Sequence, residues 1–112
     1  MPELLRLLSC ILYFTSHDQG EPCHVHVVQF KYRTNRIGHS EKLWIKENGD
    51  TEICNYKGNI KLSVLKRIQA IIKEDKMIFD SICQEWCNFY DEDHVEFYSK
   101  NEQEDKKMSF HR

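Results

Sequence analysis

Apolar and polar residues change rhythm twice along the 112-residue chain. Residues 9–15 (SCILYFT) are rich in β-branched and aromatic side chains, which suit a pleated, half-buried surface, and they read as a strand. A polar break, HDQGEP, follows, with Gly20 and Pro22 supplying turn chemistry. Residues 23–31 (CHVHVVQFK) alternate and predict a second strand. Residues 32–38 (YRTNRIG) form a basic connection, and residues 39–46 (HSEKLWIK) predict a third strand. ENGD at 47–50 is a hairpin signal, because Asn48-Gly49 favours two positive φ angles. Residues 51–54 (TEIC) return as a short fourth strand.

After Gly58 the period becomes helical. Ile60, Val64, Leu65, Ile68, Ile71 and Ile72 recur on one side, with Lys57, Lys61, Lys66, Arg67 and Lys73 largely on the other. KEDK at 73–76 marks a corner. A second amphipathic stretch carries Ile78, Phe79, Ile82, Cys83, Trp86 and Phe89 or Tyr90 on its apolar face. Strands first and helices second predict an α+β fold, a small antiparallel sheet of three to four strands followed by two helices packed on one face. Residues 1–90 read as one domain. Residues 91–112 read as a polar, acidic C-terminal extension, expected to be loosely ordered, in which Val95, Phe97 and Tyr98 suit a short strand.

Composition adds limits. At 40% apolar and 30% charged residues the chain is globular in type, and a formal charge of −2 gives no global electrostatic case for nucleic-acid binding. The charge is unevenly placed, however. Residues 31–76 carry eleven Lys/Arg against six Asp/Glu, and residues 77–112 carry four against nine. A basic middle serves either an anionic ligand or a solvated surface. Five cysteines with no C-x-x-C pair point to reduced thiols in a reducing compartment. The apolar run at 4–14 is too short to span a membrane, and it lacks the basic start and small-residue cleavage site of a signal peptide. The expectation is a cytoplasmic protein with no membrane partner.

His24 and His26 are the residues with most chemical promise. One residue apart on a strand, they share a face, about 7 Å apart at the backbone, with Cys23, Val25 and Val27 on the other. Two adjacent imidazoles serve as general acid and base near neutral pH, or share a divalent transition metal with a third ligand from elsewhere. The alternative is a pair of half-exposed strand residues with no task. Asp18 is a candidate to orient one ring, and His17 and His39 lie near in sequence. Lys31, Arg33 and Arg36, with Tyr32, are candidates to bind substrate phosphates, against the plainer reading of a solvated loop. Cys23 is the one thiol placed beside a histidine, but adjacent strand residues face opposite ways. The spacing stops short of the His-φ-His-φ-His of histidine-triad nucleotide hydrolases, since Val28 occupies the third position, and no Gly-rich phosphate loop accompanies it.

Pro22-Cys23-His24-Val25-His26-Val27 resembles the motif of a small bacterial family catalogued as domain of unknown function 4160. The resemblance extends over the opening strand (ILYF, 11–14), the His17-Asp18 turn, Leu43-Trp44-Ile45, and a second helix ending in Trp86 and Phe89-Tyr90. Cys23 stands where many members carry Pro or Ile, and Asp-His is the commoner order in the turn. Members are often encoded beside a small partner, as in toxin–antitoxin modules. The resemblance therefore implies a toxin-like protein acting on RNA, neutralised by an antitoxin-like partner, with His24 and His26 as the functional pair and Pro22 shaping the approach. The alternatives are a non-catalytic, protein-binding or regulatory module and a small metal-binding protein.

Overall fold

The computed structural model describes residues 3–99. Five antiparallel strands lie side by side in chain order: β1 (Glu3–Leu7), β2 (Cys10–Tyr13), β3 (His24–Gln29), β4 (Ser40–Ile45) and β5 (Thr51–Cys54). Two helices follow, α1 (Leu62–Glu74) and α2 (Lys76–Tyr90). The α+β class and the strands-then-helices order match the sequence reading.

The sheet has one strand more than expected. β1 lies largely inside the apolar run at 4–14, where no Gly, Pro, Asn or Asp marks the break. Leu8 and Ser9 make the turn themselves, with φ of 51° and 62°. Such paired positive values are usually supplied by Asn-Gly. At the Asn48-Gly49 hairpin the expectation fails in the other direction, because only Gly49 is positive, at 91°. Gly49 N–H bonds to the Lys46 carbonyl at 3.0 Å, and Lys46 N–H to that of Asp50 at 2.9 Å. That pattern is a three-residue loop with glycine in the left-handed position, not a two-residue turn.

The helices form where the periodicity placed them. Leu65, Ile68 and Ile72 of α1 and Ile82, Trp86 and Tyr90 of α2 are buried. They pack on the sheet face that carries Leu12, Val25, Val27, Leu43 and Ile45. Asp75 alone makes the corner: its N–H closes α1 on the Ile71 carbonyl, and its carboxylate accepts from Met77 N–H and Ile78 N–H to start α2. A smaller cluster of Ile11, Tyr13 and Val28 lies on the opposite face of the sheet.

The stretch after α2 departs from the expected loose extension. It forms no assigned strand, but the Glu96 carbonyl accepts from Cys23 N–H at 2.7 Å and Tyr98 N–H donates to Ile45 at 2.9 Å. Val95 and Phe97 pack against the core, and Tyr98 stacks on Trp44 with centroids 4.8 Å apart. The rest of the extension, residues 100–112, lies outside the described residues. Among the described residues no helix is long and apolar enough to cross a membrane.

Candidate functional site

The β2–β3 connection folds Asp18 back over the start of β3. Residues Ser16–Asp18 form a single 3-10 turn, and the Thr15 hydroxyl donates to Asp18 Oδ2 at 2.5 Å. Strand alternation then places His24 and His26 on one face, with rings 5.1 Å apart and nearly perpendicular. His26 Nε2–H donates to the same Oδ2 at 2.5 Å, and His24 Nε2 lies 3.1 Å from it. Three side chains thus converge on one carboxylate oxygen.

The surroundings fix each ring. Register pairs His26 with Tyr13 on β2 and Lys42 on β4, and Tyr13 stacks on the imidazole at 5.3 Å. His24 has no exposed surface and is boxed by Trp44 at 5.3 Å and Trp86 at 5.2 Å. Its Nδ1 lies 2.9 Å from the Pro22 carbonyl. A carbonyl only accepts, so Nδ1 carries the hydrogen, and in the neutral ring Nε2 keeps a bare lone pair. That atom is buried without a hydrogen-bond partner, although it lies 3.1 Å from Asp18 Oδ2. An unpaired buried polar atom costs about 1–3 kcal/mol. From behind, Tyr90 of α2 donates its hydroxyl to the Thr15 carbonyl at 2.5 Å and so ties the helix to the Asp18 turn.

Two opposing effects set the charge of this centre. Burial alone would raise Asp18, but hydrogen bonds from Thr15 and His26, the close His24 ring and the charge of His26 outweigh it and hold the carboxyl below its usual range. Burial pulls His26 down against the upward pull of Asp18, with His24 and Lys42 adding to the depression. A full imidazolium–carboxylate pair would raise the histidine. Both directions are downward: the site favours the charged carboxylate of Asp18 and disfavours the charged imidazole of His26.

His26 is the member of the three that reaches open space. With Thr15 and Tyr13 it lines a cleft of about 950 Å³. Arg33, Arg36, Lys42 and Lys57 line the same cleft, so four cations from three parts of the chain face one opening. Arg36 lies 4.4 Å above the Tyr13 ring, and its Nε donates to the Arg33 carbonyl at 2.9 Å. Its Nη1 is buried with no partner.

The residues singled out in the sequence divide accordingly. Asp18, His24 and His26 come together, and Arg33 and Arg36 join His26 in the cleft. Lys31 does not line it; its ammonium lies 5.2 Å over the Tyr32 ring. His17 is on the cleft wall, whereas His39 stacks on Tyr32 at 3.8 Å, away from both. Cys23 is buried, and its thiol is pushed well above the usual range by that burial, with Cys83, Cys87 and Glu92 adding to it, which leaves no thiolate to attack anything. The sequence reading missed Thr15, Lys42 and Lys57. The Thr15-x-x-Asp18 spacing is the signal that a capping interaction was available there. Lys42 and Lys57 become visible only through strand register.

The family described as Domain of unknown function (DUF4160) matches residues 10–86, which is more than half of the chain and includes the whole centre and the cleft. No curated protein and no solved structure matches it.

Proposed function

We propose, from the premise that the chain belongs to the DUF4160 family, that it is a toxin-like protein that cleaves RNA, neutralised by a small protein partner. One observation carries this reading: His26, held by buried Asp18, forms the wall of a cleft on which Arg33, Arg36, Lys42 and Lys57 converge. In a chain of net charge −2, four cations at one opening favour a polyanion there. Arg33 and Arg36 are guanidinium groups, whose planar donors suit phosphate oxygens. RNA carries its own nucleophile in the 2′-hydroxyl, so a centre that takes a proton or polarises the phosphate suffices to break the strand. Of the three clustered residues only His26 lines the cleft, and Asp18 and fully buried His24 act through it as positioning residues.

The test is induction of the wild-type chain and of His26→Gln in a bacterial host at equal soluble expression, with growth and total RNA followed together. Arrest with fragmented RNA is expected for the wild type alone, and Arg33→Glu/Arg36→Glu should behave like His26→Gln. Normal growth and intact RNA with the wild type would sink the reading. A second reading, a non-catalytic docking module, has one observation in its favour: Ile37 stands 94% exposed on the cleft rim. Under that reading Ile37→Asp abolishes binding of the protein encoded beside it, and His26→Gln leaves binding unchanged.

A further inference from the structure

We propose that Asp18, His24 and His26 form the binding site of one divalent first-row transition metal ion. The three ligand atoms, a carboxylate oxygen and two imidazole nitrogens, lie within 4.8 Å of one another. Proximity alone would not suffice, because buried Asp–His pairs are common. The second observation is the lone pair of His24. Its Nε2 is wholly buried, has no hydrogen-bond partner and lies 3.1 Å from a carboxylate oxygen, a second lone-pair donor. Two lone pairs that close are unfavourable unless a proton or a metal cation joins them, and a metal is the one that also engages His26.

The outer contacts are those of a ligand set. The Pro22 carbonyl binds His24 Nδ1–H at 2.9 Å, which leaves Nε2 as the coordinating atom. The Thr15 hydroxyl steadies Asp18 Oδ2, and Trp44 and Trp86 fix the His24 ring. His26 coordinates through Nε2 by moving its hydrogen to Nδ1, so the neutral ring releases no net proton. Two imidazoles and one carboxylate suit zinc, cobalt, iron(II) and manganese far better than calcium or magnesium, and three protein ligands leave an open position. Bound behind His26, the ion would lie beneath the cleft wall.

The site stands independently of the RNA reading, and its test does not read RNA. The full chain, freed of metal by a chelator, is titrated with Co²⁺ and with Zn²⁺, and the visible absorption, the bound stoichiometry and the melting temperature are followed. The expected result is one equivalent bound, a cobalt spectrum of nitrogen and oxygen ligation without a thiolate charge-transfer band, and a raised melting temperature. Asp18→Asn and His26→Gln, chosen because His24→Ala would open a hole beside Trp86, should keep native circular dichroism and lose at least tenfold in affinity. Cys54→Ser, which removes the thiol on the cleft wall, should change nothing. Absence of uptake by the wild type, undiminished uptake by both site variants, or a thiolate band would each overturn the proposal. Intact metal binding in a chain that leaves RNA uncut would overturn only the RNA reading.

Discussion

Single residues set the shape of this cleft, and Glu41 does so from inside the protein. It is 2% exposed, and its carboxylate accepts from Lys57 N–H at 3.0 Å and Asn59 N–H at 2.7 Å. Those bonds hold the segment that brings Lys57 to the cleft. Glu41→Ala removes the charged acceptor of two hydrogen bonds, each worth about 1.5–3 kcal/mol, so urea unfolding should show a loss of about 3 kcal/mol. Glu41→Gln keeps one acceptor oxygen and should lose less. The thiols allow a second check at this scale. The Cys83 thiol is pushed up to about 11, by burial first and then by Asp80 and Cys87. A raised value means less thiolate at any given pH below it. At pH 8 Cys83 should therefore alkylate roughly a hundredfold more slowly than a free cysteine, and its rate should keep climbing past pH 9, where a free thiol levels off. Mass spectrometry of the labelled chain over pH 7–10 reads both effects.

At the level of elements, the two hairpins show what the sequence could and could not announce. Leu8-Ser9 adopts two left-handed conformations that each cost a non-glycine residue about 1 kcal/mol. Leu8 is partly exposed, so little packing is lost by changing it. Leu8→Asn/Ser9→Gly should raise stability by about 1 kcal/mol in thermal unfolding. A drop would mean that the apolar contact of Leu8 outweighs its backbone strain. The same strain explains why β1 was hidden: the run at 4–14 holds no Gly, Pro, Asn or Asp to announce a turn. The helices were legible because burial recurs every three or four residues, at Leu65, Ile68 and Ile72 and again at Ile82, Trp86 and Tyr90. The histidine pair was legible from alternation alone. The reach of Asp18 was not, since it depends on the fold of the loop after β2. Nor was the roof over His24, because Trp44 arrives by β-register and Trp86 by the docking of α2.

The whole molecule separates its charge. Eleven Lys/Arg against six Asp/Glu lie in residues 31–76, and the four cleft cations all belong to that stretch. The net charge of −2 conceals this, because residues 77–112 carry four against nine. Affinity for RNA should therefore be local to the cleft and steeply dependent on salt. Each phosphate neutralised on a single strand contributes about −0.7 to the slope of log K against log salt, so four cleft cations predict a slope of about −3. Lys57→Ala and Arg33→Ala should each flatten the slope by about 0.7 and weaken binding to all sequences alike. Lys31→Ala should leave it unchanged, because that side chain lies over Tyr32 and off the cleft. Lys42 is a harder case. Its ammonium is engaged by Glu21 at 2.6 Å, so Lys42→Ala should flatten the slope less than Lys57→Ala. A fluorescence titration of a short single-stranded RNA at several salt concentrations measures all four variants. Equal slopes across them would move the binding surface away from the cleft, and with it the substrate proposed for His26.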